Sequence, residues 1–193
     1  MSTNDKAKSV DAVSSGFICG ARPEESAVAL GRFDLECIGA DGKVKWTGSV
    51  PNLVVNAGLA YMAGSALTSV TQITTWYIGL YGAGASKTPA AADTMSSHAG
   101  WTEVVPYSNA TRVAVTFVTA TTANPSVVTN SASPASFTIN ATSTVGGAFL
   151  TSGSAKSGTA GTLFSASDFT SPGDRAVTSG DTLNVTYTMS LAG

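Results

Sequence analysis

The sequence predicts a mainly β protein: an antiparallel β-sandwich, jelly-roll or immunoglobulin-like, with one short docked helix and an N-terminal arm. Several short segments alternate apolar and polar residues with a period of two, which is typical of half-buried strands. Residues suited to turns separate these segments. Only residues 52–67 show convincing helical periodicity. Several strands with a single helix favour a sandwich.

Charge is distributed unevenly along the chain. Thirteen of the 22 charged residues precede Pro51. This shift predicts a boundary near residues 45–52, with a charged arm and a possible hairpin in residues 1–50 and a sandwich body in residues 51–193. Residues 1–16 are expected to form a flexible arm, because they show no apolar periodicity. The alternation that builds a core is expected almost entirely after Pro51.

A β-hairpin is predicted over residues 32–47. One strand alternates between two faces, Phe33, Leu35 and Cys37 against Asp34, Glu36 and Ile38. Asp41-Gly42 supplies a turn, and Val44 and Trp46 belong to the returning strand.

The predicted helix spans residues 52–67, with Asn56 as a possible N-cap. The residues expected on its buried face are Leu59, Met62, Ala63, Ala66 and Leu67. Gly58 and Gly64 lower its intrinsic stability. The helix is therefore expected to depend on docking to a sheet.

The remaining strand predictions follow the helix. A near-continuous apolar run at 75–81 indicates a central strand, and further strands are predicted at 112–118, 136–141, 147–151 and 162–165. The most regular alternation is at 182–191. It predicts that Leu183, Val185, Tyr187, Met189 and Leu191 face inward.

Composition excludes several classes of function. Hydrophobic residues make up 43% of the chain and charged residues 11%, against about 25% charged in ordinary globular proteins. A neutral exterior partly covered by a partner is therefore expected. The spread of Lys and Arg gives no basic stripe for nucleic acid, and no apolar run reaches the roughly 20 residues of a membrane span.

No secretion signal is expected, since Met1–Val13 lacks an apolar core. In a reducing cytoplasm Cys19 and Cys37 are expected as free thiols. Their spacing, without a second Cys/His pair, gives no zinc pattern. We expect no cofactor.

His98 is the only histidine. One interpretation is a hydrolytic centre in which Asp93 orients His98 and Ser96 or Ser97 is the nucleophile, but the spacing does not ensure that these groups converge. The favoured interpretation is a compact loop in which Asp93 caps a helical turn and Trp101 anchors the loop in the core. No catalytic residue is assigned, and the protein is expected not to be an enzyme.

Other candidate sites also have simpler explanations. Asp168, Asp174 and Asp181 could bind calcium, but they lack the EF-hand spacing and are expected as turn residues. Asn109, Asn140 and Asn184 begin glycosylation patterns that a Thr-rich chain contains by chance.

Gly79, Gly82 and Gly84 form no phosphate loop. Trp76, Tyr77, Tyr81 and Trp101 could form a sugar-binding platform, although core positions are favoured.

From about Trp46 onward, over about three quarters of its length, the chain resembles small virion proteins of tailed bacteriophages. The segments that carry the resemblance are Asn52-Leu-Val-Val-Asn-Ala-Gly58, Trp76-Tyr-Ile-Gly-Leu80, Ala92-Asp-Thr-Met-Ser-Ser-His-Ala-Gly-Trp-Thr-Glu103, Ala110-Thr-Arg112, Gly147-Ala-Phe-Leu-Thr151 and Ser179-Gly-Asp-Thr-Leu-Asn-Val185. Of these, the run from Asp93 to Trp101 is the most distinctive.

The resemblance implies a structural component of the virion that decorates or cements the capsid. The partners would be the major capsid protein and neighbouring copies of the chain in a homo-oligomer. An arm of about 16 residues reaches roughly 50–60 Å when extended, enough to cross onto a neighbouring subunit. The alternative is a tail, fibre or baseplate module that binds host glycan or another tail protein; an enzyme acting on the cell wall has little support.

Overall fold

The computed structural model describes residues 27–82, 88–170 and 173–193. Within these ranges two antiparallel sheets and one helix form an all-β sandwich, which confirms the predicted fold class. The predictions made for residues 1–16 and for Cys19 lie outside the described residues.

In chain order the elements are β1 (Val28–Ile38), β2 (Val44–Pro51), β3 (Leu53–Val54), α1 (Asn56–Leu67), β4 (Trp76–Gly82), β5 (Glu103–Val104), β6 (Val113–Val115), β7 (Ser126–Thr129), β8 (Ala135–Thr138), β9 (Ser143–Thr151), β10 (Leu163–Asp168), β11 (Arg175–Val177) and β12 (Thr182–Ala192). The predicted hairpin is β1–β2, and the predicted central strand is β4. Four short strands of two to four residues were not predicted, namely β3, β5, β7 and β11, and β3 lies inside the segment predicted as helix.

The five-stranded sheet is built on β12. β1 pairs along its whole length, from Val28 opposite Ala192 to Ile38 opposite Thr182. On its other side, β8 pairs with the first part of β12 and β7 with the last part. β2 is the outer neighbour of β1. In the seven-stranded sheet the order is β3-β10-β9-β4-β5, with β11 also on β9 and β6 also on β4.

The core between the sheets takes the inward residues of both. Those from the first sheet include Phe33, Leu35, Cys37, Val50, Phe137, Leu183, Val185 and Tyr187. The expectation that core-building residues lie almost entirely after Pro51 is therefore wrong. The period of two places Arg32, Asp34 and Glu36 on one face of β1 and the core residues Phe33, Leu35 and Cys37 on the other, so a charge-rich segment also supplies core.

The predicted register of β12 is confirmed for Leu183, Val185 and Tyr187, which are fully buried. Met189 is half-buried against the core. Leu191 is 40% exposed, and its predicted burial is wrong. It lies beyond Met189, the last residue of β12 that packs against the core.

The helix starts later than predicted, and Asn56 is not its N-cap. Val55 occupies the cap position in extended geometry, with φ −77° and ψ 164°, and makes no side-chain cap. The backbone N–H groups of Val55 and Asn56 donate to the carbonyl oxygens of Phe164 and Ala91 instead. Tertiary hydrogen bonds thus replace the expected side-chain cap.

The helix docks through Gly58, against the predicted face. A Cβ atom at Gly58 would lie 2.2 Å from the carbonyl oxygen of Phe164 in β10, so the close approach requires glycine. This orientation buries Gly58, turns Tyr61 and Met62 partly inward and leaves Leu59 exposed. The expected dependence on docking to a sheet is confirmed, but of the predicted buried face only Met62 packs against the core.

The register of β12 can be tested with one substitution at two neighbouring positions. Val185→Asn should lower the free energy of unfolding by about 2–4 kcal/mol, because it removes buried methyl groups and buries an amide without partners. Thr186→Asn, on the outward face, should cost less than about 1 kcal/mol. Denaturant unfolding of both variants measures the difference, and equal losses would contradict the register.

Candidate functional site

The His98 loop does not assemble the hydrolytic centre that was considered as an alternative to a structural loop. Asp93 accepts a hydrogen bond from the backbone N–H of Ala90 at 2.8 Å, and His98 stacks on Trp101 with ring centroids 3.9 Å apart. Within the described residues the buried Nδ1 of His98 has no hydrogen-bond partner, so Asp93 does not orient it. The side-chain hydroxyl of Ser96 is hydrogen-bonded to that of Thr94, with 3.2 Å between the two oxygen atoms.

Trp101 anchors this loop, as predicted, in a second apolar cluster. Its other members include Tyr81, Met95, Phe149 and Leu163, and Trp101 contacts Tyr81 and Phe149. Strand alternation places this cluster on the face of the seven-stranded sheet that points away from the main core. Glycines make room for its rings: a Cβ atom at Gly147 would lie 1.9 Å from the ring of Tyr81.

A buried ion pair fixes the edge of the second cluster. Arg112 donates to both carboxylate oxygens of Glu103 at 2.8 and 2.9 Å, and the Arg112 side chain is only 1% exposed. Its guanidinium also donates to the carbonyl oxygens of Gly153 and Gly158 and lies over the ring of Phe149. Glu103 accepts a further hydrogen bond from the backbone of Ser157. The pair therefore holds the loop after β9 against β5.

The sequence pattern did not predict this pair. Its signal is present nonetheless: Glu103 and Arg112 are the only charged residues between Asp93 and Lys156. A cavity of about 210 Å³ lies beside them and is also lined by His98 and Trp101. Four of the five guanidinium N–H groups are already used by Glu103 and the two carbonyls. Most of the guanidinium N–H groups of Arg112 are therefore not available to bind an anionic ligand in this cavity.

The three C-terminal aspartates do not form one site. Asp181 is buried in a turn, where it accepts hydrogen bonds from Thr178 and, at 2.6 Å, from Lys45. Burial raises the pKa of Asp181, but the hydrogen bonds from Lys45 and Thr178 outweigh it and leave the pKa below its ordinary value. Asp168 accepts a hydrogen bond from Thr88. Across residues 27–82, 88–170 and 173–193, no three His, Cys, Asp or Glu residues are grouped to hold a metal.

The Cys37 thiol lies beside Asp181 and donates to its carboxylate over 3.8 Å. It is fully buried and carries no disulfide in the described structure. Burial and then the charge of Asp181 raise the pKa of Cys37 to about 11. At neutral pH the thiol is therefore protonated.

The remaining sequence candidates are structural. The Asn109 side chain bonds the backbone of Ser136 and Thr138, while Asn140 is exposed and Asn184 lies half-buried in β12. Gly79 and Gly82 belong to β4, and Gly84 is outside the described residues. The four aromatic residues form no single platform, since Tyr81 and Trp101 are buried and Trp76 and Tyr77 point to opposite faces of β4.

Trp76 instead lines an open apolar cavity at one end of the sandwich, which we call the end groove. Its volume is about 390 Å³. Its walls include Tyr61 and Met62 of α1, Trp76 and Phe164 of the seven-stranded sheet, and Tyr187 and Met189 of β12. Among the described residues, no charged residue lines it.

A second apolar surface lies on the outward side of the helix. The outer face of α1, defined as Leu59, Ala60, Ala63 and Leu67, is exposed along its length, and Leu67 is 86% exposed. The helix contains no charged residue, and neither does any position from Trp46 to Ser86. The predicted buried face included three of these four residues, Leu59, Ala63 and Leu67, because periodicity does not show which side of a helix meets the sheet.

No helix in the described part of the chain is long and apolar enough to cross a membrane. Comparison of the chain with protein-family models, curated proteins and solved structures gave no match.

The buried ion pair should stabilise the fold far more than an exposed one does. Arg112→Ala should lower the free energy of unfolding by about 3–5 kcal/mol, because it leaves the Glu103 carboxylate buried without a cation. Arg32→Ala is the matched control: Arg32 pairs with Asp34 but is 58% exposed, so its loss should cost less than about 1 kcal/mol. Similar losses in denaturant unfolding would show that the buried pair has no special role.

Cys37 should make stability fall in alkali. Its folded pKa is raised, so its contribution is complete below the ordinary thiol pKa of 9.0 and is lost as pH rises towards about 11. Between about pH 8 and about pH 10, the wild type should lose about 1 kcal/mol more stability than Cys37→Ala. Denaturant unfolding at several pH values measures both slopes. Parallel slopes would show that the buried thiol does not titrate differently on folding.

Proposed function

We propose that this protein is an accessory structural protein of a bacteriophage virion, which decorates or cements the capsid by binding the major capsid protein and neighbouring copies of itself. The observation that carries the proposal is the outer face of α1. It is an exposed apolar surface on a helix without a single charge. The sequence resemblance to small phage virion proteins supplies the context of the particle.

An uncharged helix that is apolar on both sides is normally buried on both sides. In this chain the inner side docks through Gly58, while Leu59 and Leu67 remain exposed at 45% and 86%. The cores of protein interfaces are depleted in charged residues. The outer face of α1 therefore has the composition of an interface that another protein covers.

The rest of the molecule suits a structural role. The two-sheet core is continuous from β1 to β12, so the body can present a rigid surface. Charged residues in the described ranges are few, and two of their ion pairs, Glu103–Arg112 and Lys45–Asp181, hold the fold together. None of the charged residues lies on α1, so its outer face carries no charge to oppose close contact with a shell or with other copies.

The alternative is a tail, fibre or baseplate module that binds host glycan or another tail protein. One observation favours it: the end groove has aromatic walls that include Trp76 and Tyr61. Aromatic faces are suited to stacking on sugar rings, but a sugar site also needs polar partners. The hydroxyl oxygen of Tyr61 already accepts a hydrogen bond from the backbone N–H of Ile73 at 2.7 Å.

Reconstitution on particles that lack the protein tests the proposal. The double variant Leu59→Glu/Leu67→Glu should bind heads at least about 30-fold more weakly than the wild type, because it introduces charge at the centre of the interface. Its melting temperature should change little, because both side chains are exposed. Occupancy is measured on heads and tails separately.

The matched control is Val44→Glu/Val118→Glu, which adds the same charge at two exposed valines outside α1. Its occupancy on heads should stay near the wild-type value. Equal binding by both double variants would remove the outer face of α1 from the interface. Binding of the wild type only to tails would reject the head assignment in favour of the alternative.

A further inference from the structure

The end groove lies close to the first residues of β1. Gly31 lies opposite Met189, which lines the groove, and Ala29 lies opposite Leu191. Ala29 and Gly31 share the inward side of β1 with Phe33, and the side chain of Asn52 occupies the space over Gly31. The strand β1 therefore begins close to the groove.

The wall of the groove favours an apolar occupant. Besides the Tyr61 hydroxyl, the hydroxyl of Tyr187 is engaged, because it accepts hydrogen bonds from Asn52 at 3.1 Å and Ser165 at 3.3 Å. An apolar cavity of about 150 Å³ already accommodates a benzene-sized ring. A groove of about 390 Å³ therefore has room for an aromatic ring together with an aliphatic side chain.

The sequence carries such a pair of side chains upstream of β1. Phe17-Ile18 lies in the segment that precedes β1, and Phe17 is the only aromatic residue before Phe33. Residues 12–21 are uncharged and are flanked by Asp11 and Arg22, which matches a groove without charged lining. The sequence therefore offers an apolar plug between polar flanks.

The connection is long enough for this plug to reach the groove of its own chain. Fourteen residue steps separate Phe17 from Gly31, and they span up to about 45 Å when extended. Gly31 is one strand spacing, about 4.8 Å, from the strand that carries Met189. A short tether of this kind gives a high effective concentration, so that even a modest apolar contact is populated.

We propose that the end groove is the docking site of the N-terminal segment of the same chain, with Phe17 and Ile18 filling it. The proposal stands independently of the virion assignment, since it concerns a contact within one chain. It gives residues 14–21 a role in the body of the protein and leaves the outer face of α1 for the partner.

Cross-linking in the full chain tests the placement. Gln72 is exposed at the rim of the groove, so Gln72→Cys should fold normally and form a disulfide with the natural Cys19 under mild oxidation. Ser96→Cys, equally exposed on the His98 loop, is the control and should cross-link at least about tenfold more slowly, since Cys19 would have to leave the groove to reach it. Peptide mapping identifies the linked residues.

The linked Gln72→Cys product should have the size of a monomer on a non-reducing gel. A product of dimer size would overturn the proposal in favour of a groove filled by a second copy. Equal cross-linking of the two variants would show that residues 14–21 do not dock.

Thermal unfolding tests the contact itself. Phe17→Ser/Ile18→Ser should lower the melting temperature by roughly 3–12 °C, since burial of one large apolar side chain and the size of the protein set this range. Val10→Ser/Val13→Ser, in the same segment but outside the plug, should change it by less than about 2 °C. Equal melting temperatures for the two double variants would overturn the proposal.

Discussion

The pairing of β1 with β12 holds the molecule together. These two strands are matched from Val28–Ala192 to Ile38–Thr182, and each carries buried residues into the main core on every second position. β2, β7 and β8 join the sheet only through one of them. The inner wall of the sandwich therefore depends on this pair of strands. In this wall the ring centroids of Phe33 and Tyr187 lie 4.9 Å apart. The seven-stranded sheet needs that wall to cover its own apolar face.

Two ion pairs connect separate segments of the structure. Glu103–Arg112 ties the loop after β9 to β5, and Lys45–Asp181 ties the β1–β2 hairpin to the turn before β12. Arg112 and Glu103 are both buried, so losing one partner of that pair costs much more than losing one partner of a surface pair. In the second pair Asp181 is buried, whereas the Lys45 side chain is 36% exposed. This placement reconciles a stable core with a neutral exterior.

Strand patterns were predictable where both faces of a strand meet different environments. Leu183, Val185 and Tyr187 could be assigned from alternation alone, because one face of β12 meets the core and the other does not. Leu191 could not, since the sequence does not show where the covering sheet ends. For α1, two apolar sides competed, and the close approach at Gly58 selected the one that periodicity did not favour. Arg112 was missed because its partners come from the separate segments around Glu103 and Gly153, and only the fold brings these segments together.

The β1–β12 pairing also has a consequence for how the chain reaches its native state. Its two strands are separated by nearly the whole described sequence, so the entropy of closing a very long loop must be overcome before their contacts contribute. The β1–β2 hairpin can form early from local contacts, but its inward apolar residues stay uncovered until β12 has been synthesised. During that interval the growing chain exposes an incomplete sheet with an open edge, the kind of surface on which neighbouring chains pair wrongly. The sheet that begins with the β1–β2 hairpin can therefore be completed only after β12 has been synthesised, which orders the folding of the sandwich along the chain.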